Sequence, residues 1–330
     1  MRLSVLDLAP VDPDTPFESA LTDIVQLAQS AEQRGFERVW YAEHHNMPTI
    51  ASSATSVLIG HVANHTSTIR LGAGGVMLPN HSPLVIAEQF GTLATLHPNR
   101  IDLGLGRAPG TDQRTVHALR RDPAAAESFP NDVVELQDFL AGRQPIPGVQ
   151  AAPVAQTPPP LYILGSSLFG AQLAAQLGLP YAFASHFAPE MLLQALQAYR
   201  DNFKPSDHLS EPYVIVGANV IGHQDADVAS EIEHAVLKQR VGMFLGRAAS
   251  RKFTDEELDL IMDSPQGQQI INMMRVRAVG DGPAIERQLN VIQEQTEADE
   301  IMIAFHGRSP EERRGGLELT ADVLLSPTNV

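Results

Sequence analysis

The chain has 330 residues, of which 43% are hydrophobic and 19% charged, so it can bury a large core and is neither a disordered nor a fibrous protein. It has 23 Lys and Arg residues and 39 Asp and Glu residues, and the resulting net charge of −16 argues against nucleic acid or an anionic membrane as a partner. It contains no cysteine, which excludes disulfides, thiolate metal sites, iron–sulfur clusters and a cysteine nucleophile.

The beginning of the chain and its apolar segments bear on localisation. Asp7 stands where a signal peptide needs an unbroken apolar run. No later apolar segment is long enough to span a bilayer. We therefore expect a cytoplasmic protein.

Short runs rich in Val, Ile and Leu alternate with longer amphipathic runs, which is typical of a parallel sheet whose strands are joined by helices. Each predicted strand is followed by a predicted helix, and the last helix is expected over residues 309–325. Eight such units predict a TIM (β/α)₈ barrel in one domain over residues 1–330, although an open doubly wound sheet has the same local pattern. The eight strands begin near Leu3, Arg38, Ile69, Ile101, Leu161, Tyr181, Tyr213 and Glu300.

The spacing of the strands breaks after strand 4 and after strand 7, and each break predicts an insertion. The first insertion comprises about residues 107–127 and the proline-rich stretch 143–160, and the second comprises about residues 246–280. Loops that leave the carboxyl ends of barrel strands build the active site. We therefore expect both insertions to cover it.

The second predicted strand ends in the run VWYAEHHN. Because side chains alternate along a strand, Trp40, Ala42 and His44 are predicted to face the barrel interior, whereas Val39 and Tyr41 pack on helices. His44 would lie at the mouth, where an imidazole can hold or pass a proton near neutral pH. A purely structural role at the rim remains open. No metal site is predicted, because adjacent strand side chains diverge and no further acidic or histidine ligand has a suitable spacing.

The third predicted strand contains Gly72, Gly74 and Gly75. Glycines inside a strand cost packing and backbone entropy. Either a flat group such as a cofactor ring approaches the backbone there, or the strand carries a bulge or a tight bend. Both interpretations remain open.

The exit of strand 4 reads IDLGLGRAPG, and its glycine spacing and the Pro109-Gly110 break argue against a dinucleotide fingerprint. Arg107 can grip a phosphate with two N–H groups, or form a salt bridge at the rim. After strand 5, Gly165, Ser166 and Ser167 lead into a helix whose start offers N–H groups to a phosphate, or is simply capped. Because strands 4 and 5 are neighbours, Arg107 and the two serines are predicted to converge on one anion.

As a set, four stretches resemble the bacterial luciferase-like flavin-dependent monooxygenases, and in particular their YhbW-type subgroup. The resemblance covers about the first 190 residues. The matching stretches are residues 42–48, 71–83, 100–110 and 164–167.

This resemblance implies a barrel that uses reduced FMN (FMNH₂), O₂ and a small organic substrate, with a separate flavin reductase as partner. His44 matches a histidine near the reactive edge of the flavin. Gly74 and Gly75 match a non-prolyl cis peptide beneath the ring, and Arg107 and Ser167 match phosphate contacts, with Ser166 beside them. Gly106 stands where true luciferases carry a reactive cysteine, so light emission is not implied.

Three alternatives to an FMN-dependent monooxygenase remain open at this stage. A relative could use the deazaflavin F420 for hydride transfer, a non-catalytic protein could store FMN, or a barrel enzyme could bind a phosphorylated substrate without flavin. The substrate is not predicted. Three residues on and after strand 6 either line its pocket or pack at the rim, namely Phe183, His186 and Phe187.

The second predicted helix bears on the oligomeric state. It carries Val57, Leu58, Ile59, Val62 and Ala63 around more than one face, whereas a helix with one wet side needs a single apolar stripe. A second copy of the chain is expected to cover it, which agrees with the dimers of the resembling family.

Overall fold

A computed structural model of the chain describes residues 1–12, 15–108, 111–249 and 252–325. Eight parallel strands in it close into a barrel, because the sheet order β6-β5-β4-β3-β2-β1-β9-β7 is completed by pairing of β6 with β7. The predicted TIM barrel is confirmed, and all eight predicted strands are present. The strands are β1 Arg2–Asp7, β2 Arg38–Tyr41, β3 Arg70–Met77, β4 Ile101–Gly106, β5 Leu161–Gly165, β6 Tyr181–Phe183, β7 Val214–Gly222, β8 Arg277–Gly280 and β9 Glu300–Phe305.

A helix follows each barrel strand, and further helices lie in the insertions. Among the described residues, no helix is long and apolar enough to cross a membrane. The helices are α1 Phe17–Gln33, α2 Thr55–Ala63, α3 Pro83–Leu96, α4 Gln113–Ala118, α5 Phe129–Leu140, α6 Leu168–Leu177, α7 Leu192–Asn202, α8 Ala226–Ala249, α9 Asp255–Met262, α10 Pro265–Asn272, α11 Gly282–Thr296 and α12 Pro310–Leu324.

The insertions lie after strands 4 and 7, as predicted, although Pro109, Gly110 and residues 250–251 fall outside the described residues. The first insertion contains α4 and a 3₁₀ turn over Pro123–Glu127, and its stretch 143–160 forms neither helix nor strand. The second contains α9, α10 and β8. The strand β8 is not among the eight predicted ones, because its four residues carry no clear alternation. It pairs with the carboxyl half of β7.

The alternation of β2 separates two apolar clusters, as predicted. Trp40 and Ala42 belong to a cluster inside the barrel, whereas Val39 and Tyr41 join the layer between the sheet and the helices. A third cluster, centred on Ile232 and Val236, holds α8, α9 and α10 together. The second insertion therefore has an apolar core of its own beside the barrel.

The amino-terminal half of the barrel is filled by a hydrogen-bonded plug of polar side chains. Arg38 donates to Glu300 (2.9 Å), Asp102 (2.7 Å) and Tyr162 (2.8 Å), and the Trp40 indole N–H donates to Asp102 (3.0 Å). Burial alone would lower the pKa of Arg38, but the two carboxylates raise it. Because the plug seals this end, a ligand can enter only at the carboxyl ends of the strands.

The apolar surface of α2 has a different explanation from the one predicted. Leu58, Ile59, Val62 and Ala63 are all buried within the chain, because α2 packs against β3 and has α1 and α3 on its two sides. Of these five apolar residues, Val57 is the one that is exposed (72%) and that a partner could contact. The breadth of the apolar surface therefore does not itself require a second copy.

Candidate active site

The predicted site residues lie at one end of the barrel, on four neighbouring strands. His44 follows β2, Gly74 lies in the carboxyl half of β3, Arg107 follows β4, and Gly165 ends β5. These strands pair in the order β2-β3-β4-β5 and are parallel, so their carboxyl ends share one rim. The structure thus brings all of these residues to the open end of the barrel.

Arg107 meets the start of α6. Its guanidinium carbon lies 4.1 Å from the ring centroid of Phe169, the second residue of that helix. No side chain caps α6 at Ser167, so the first-turn N–H groups have no side-chain acceptor. Arg107 forms no ion pair with a described residue, so the rim salt bridge is not observed. A guanidinium and a positive helix end converge, which suits an anion.

Arg121 is a second cation at this place, and the sequence interpretation missed it. Arg107 and Arg121 line the same small cavity of about 50 Å³. The Nε atom of Arg121 donates to the carbonyl of Asn80 (3.0 Å), which fixes the side chain in this position. Arg121 follows α4 inside an insertion, where no strand or helix periodicity predicts the direction of a side chain. The pair Arg120-Arg121 is the only signal in the sequence.

The side-chain positions of two glycines in β3 point at Trp40. A Cβ atom on Gly72 would lie 2.8 Å from the Trp40 indole, and one on Gly74 would lie 2.9 Å from the Trp40 Cβ. The pairing of β3 with β4 also shifts register between Ala73 and Val76. Of the two interpretations of these glycines, packing inside the barrel accounts for Gly72, since its side-chain position is filled by Trp40 and Asp102.

Gly74 and Gly75 differ from Gly72 in position. The peptide bond between them is cis, as the resemblance implied. Gly75 is buried, and a Cβ atom on it would lie 2.8 Å from the carbonyl oxygen of Gly104. Gly74 is partly exposed at the mouth of the barrel. Of the three glycines, Gly74 is the one whose backbone a flat ligand can approach.

Glu43 forms the centre of a cluster that the sequence did not predict. Its Oε1 atom lies 2.8 Å from Nε2 of His45 and 2.8 Å from Nε2 of His81, and its Oε2 accepts from the N–H of Met77 (3.2 Å). Burial favours the protonated carboxyl, but the two imidazoles lower the pKa of Glu43, and Glu43 raises that of His45. The cluster fixes the residues on either side of His44.

The same cluster bears on the absence of a predicted metal site. One ligand atom from each of Glu43, His45 and His81 lies within 4.8 Å of the others, a set that could hold a divalent cation. The premise that no acidic or second histidine ligand lies near is therefore wrong. His81 comes from the segment after β3, so its approach to Glu43 depends on the fold and not on local spacing.

A second group of polar side chains lies across the mouth, on β6, β7 and β9. Nε2 of His306 donates to Oδ1 of Asn219 (2.8 Å), whose amide in turn donates to the carbonyl of His186 (2.8 Å). Burial is the main cause that lowers the pKa of His186 to about 3, with a further contribution from Arg240, and burial lowers the pKa of His306 to about 4. Both rings are therefore neutral at neutral pH.

Of the three residues predicted either to line a pocket or to pack at the rim, Phe183 belongs to the outer apolar core. His186 reaches the mouth, where its Nδ1 atom occupies the space that a side chain at Gly217 would need. Phe187 is partly exposed and its ring stands 5.0 Å from that of His186.

Relatives of this chain are found by sequence and by structure. The family model for luciferase-like monooxygenases matches residues 1–295. A protein of Escherichia coli (strain K12) named luciferase-like monooxygenase is 48% identical over 328 residues, which cover 98% of this chain and 97% of the relative. The crystal structure of apo-MsnO8 has a TM-score of 0.85 and 30% identity, and covers 98% of each chain.

Two solved structures share the fold at lower identity. The oxygenating constituent of 3,6-diketocamphane monooxygenase from Pseudomonas putida, solved in complex with FMN, has a TM-score of 0.73 and 15% identity over 97% of this chain and 96% of that one. An F420-dependent secondary alcohol dehydrogenase has a TM-score of 0.73 and 14% identity over 98% of each. The family model and the 48% identity, however, carry the assignment: this chain belongs to the luciferase-like monooxygenase family.

Proposed function

We propose that the protein is an FMN-dependent monooxygenase that uses reduced FMN and O₂ on a small organic substrate. The observation that carries this proposal is the meeting of Arg107 with the uncapped start of α6. Together with Arg121, they offer charged and backbone N–H donors to a phosphate group. Gly165, Ser166 and Ser167 form the turn that leads the backbone into this position.

The remaining part of the mouth fits a flat ring. Gly74 exposes backbone without a side chain, and the polar plug below Trp40 stops a ligand from entering deeper. When bound, reduced FMN supplies the electrons with which oxygen is activated. His44 is assigned the role of holding or passing a proton at the open edge of the ring. The insertions around the mouth would keep water away from the reacting atoms.

Ligand binding tests the choice among the possible functions. Purified protein is titrated anaerobically with FMN, riboflavin and F420, each oxidised and reduced. Oxygen uptake is then followed with a flavin reductase and a panel of organic substrates. We expect FMN to bind more tightly than riboflavin and F420, and some substrate to raise oxygen uptake.

Each alternative gives a different result in the same titrations. Preferential binding of F420, the cofactor named for one fold relative, would favour hydride transfer. Binding of FMN without any substrate-dependent oxygen uptake would favour a flavin-storage protein. Failure to bind any flavin would leave a barrel enzyme acting on a phosphorylated substrate.

The role of His44 has its own test. Replacing His44 with alanine should leave the affinity for FMN unchanged and slow the substrate-dependent oxygen uptake by roughly 10²- to 10⁴-fold, the usual contribution of a positioned proton donor or acceptor. An equal loss of FMN affinity would instead indicate a structural role at the rim.

We also propose a separate flavin reductase and a second copy of the chain as partners. Exposed apolar side chains on the outer faces of α2 and α3 support the homodimer, namely Val57 (72% exposed), Val85 (44%) and Leu96 (66%). Sedimentation should give a dimer at micromolar concentration, which Val57→Asp weakens. A wild-type monomer would contradict this proposal.

A further inference from the structure

Arg240 on α8 is a partly buried cation that forms no ion pair with a described residue. Its Nε atom is inaccessible to solvent and has no hydrogen-bond acceptor among the described residues. No described carboxylate forms an ion pair with it, although the chain has 39 acidic residues. By contrast, Arg277 pairs with Glu233 at 2.6 Å, and Arg313 lies 3.8 Å from Asp7. A buried N–H group without an acceptor is costly, so the Nε atom of Arg240 points to a ligand that accepts from it.

The groups near Arg240 carry no negative charge that would repel an anion. On the side of the barrel mouth, Arg240 lies close enough to His186 and His306 to lower the pKa of each, and both rings are neutral there. Burial is the cause that lowers the pKa of Arg240 itself. Because no described acid affects the pKa of Arg240, an incoming anion would meet no repulsion from these elements.

Arg240 is linked through Phe244 to a cavity beside the second insertion. The guanidinium lies 5.0 Å from the ring centroid of Phe244, one helical turn further along α8. An open cavity of about 480 Å³ is lined by four apolar residues and by two glutamines, namely Phe244, Leu245, Ile270, Met273, Gln266 and Gln269. The acid on its lining, Glu190, is already paired with Arg275 (3.4 Å). The cavity is large enough for a small organic molecule.

We propose that Arg240 binds the carboxylate of an organic acid whose apolar part occupies this cavity. This proposal rests on the proposed monooxygenase function and names the class of its substrate as an amphipathic carboxylic acid. The planar guanidinium matches a carboxylate through two N–H groups. A phosphate is less suited to this place, because the proposed phosphate site lies elsewhere at the mouth. That site is formed by Arg107, Arg121 and the start of α6.

Hexanoate and hexanamide are the probes, since they match in length and differ in charge. Each is titrated calorimetrically into FMN-loaded wild type. Hexanoate should bind roughly tenfold or more tightly than hexanamide, the contribution expected of a charge-assisted hydrogen bond. Arg240→Gln should abolish this preference. Arg143→Gln, which removes the same charge from an exposed arginine after α5, should retain it.

Equal affinity of wild type for the two probes would overturn the proposal, as would a preference that survives in Arg240→Gln. If the glutamine variant does not fold, Arg240→Lys decides: it keeps the charge but loses the planar fork, so its hexanoate affinity should fall severalfold, and an unchanged affinity would be contrary evidence. A preference seen without FMN and lost with it would show that the guanidinium serves the flavin instead.

The proposed function and this inference fail separately. FMN affinity is measured first, from the quenching of flavin fluorescence. If wild type does not bind FMN, the proposed function fails, whereas hexanoate binding to the flavin-free protein still reports on Arg240. If FMN binds but hexanoate shows no preference, only the carboxylate site is wrong.

Discussion

The guanidinium of Arg107 stacks over the ring of Phe169 at 4.1 Å, so the end of β4 and the first turn of α6 are held together by a contact between a cation and an aromatic ring. We predict that Arg107→Ala weakens FMN binding by about 10- to 100-fold, because a charge-assisted contact to phosphate contributes about 1.5–3 kcal/mol. Riboflavin has no phosphate, and its affinity should stay unchanged. Fluorescence titrations with both flavins measure the two effects.

Arg143→Ala serves as the matched control for that experiment, because Arg143 is exposed and pairs with Asp138 far from the mouth. It should bind both flavins like wild type. If Arg107→Ala weakened riboflavin as much as FMN, the loss would come from a disturbed rim rather than from a missing phosphate contact.

The side chains of Glu43, His45 and His81 form hydrogen bonds with one another without a metal ion. We therefore predict that removing divalent cations with a chelator leaves the melting temperature of the protein unchanged. The carboxylate of Glu43 is 1% exposed and accepts from both imidazoles and from a backbone N–H. Glu43→Gln should lower the free energy of unfolding by about 1–3 kcal/mol, the cost of leaving buried partners unsatisfied. Urea unfolding measures this loss.

A melting temperature that Zn²⁺ raises in wild type but not in His81→Ala would reveal a metal centre instead.

Gly72 and Gly315 make a matched pair for testing the packing against Trp40. A Cβ atom on Gly72 would lie 2.7 Å from Asp102 Cβ and 2.8 Å from the indole, so Gly72→Ala should cost about 1–3 kcal/mol of overpacking. A Cβ atom on Gly315, in α12, meets nothing within 4 Å, and Gly315→Ala should stabilise the protein by up to about 1 kcal/mol. Thermal unfolding compares them. A neutral Gly72→Ala would mean that the barrel interior yields easily.

Features that repeat along the chain could be predicted, because their cause is local. Trp40 faces inward and Tyr41 outward through the two-residue period of a strand, and the eight barrel strands stand out as apolar runs. Arg107 and Ser167 could be placed together because consecutive parallel strands are usually neighbours.

Features that depend on distant contacts could not be predicted. Glu43 and His81 are 38 residues apart, and Arg121 and Arg240 lie in segments that no strand periodicity orients. The reason for Gly72 could not be chosen from the sequence, because the side chain that fills its space, Trp40, belongs to another strand. Sequence patterns thus located the rim of the site and missed the groups that converge on it from insertions and loops.

His186 and His306 should make the protein sensitive to acid. Their pKa values in the folded protein are about 3 and about 4, below the ordinary value of 6.5, so the unfolded chain takes up their protons first. The stability that they contribute is present above about pH 6.5 and is lost progressively as the pH falls towards 4. Each histidine accounts for at most about 1.4 kcal/mol per pH unit, and less where water reaches the ring.

Urea unfolding of wild type and His306→Gln at about pH 7, 6 and 5 isolates this contribution from that of the carboxyl groups, which both proteins share. Glutamine can still donate to Asn219, the partner of His306, but does not titrate. The variant should therefore lose stability less steeply over this range. His208→Gln, which changes an exposed histidine outside the mouth, should follow the wild-type slope. If the stability of His306→Gln falls with pH as steeply as that of wild type, His306 takes up its proton equally in the folded and the unfolded protein. Burial at the mouth then does not keep the ring neutral.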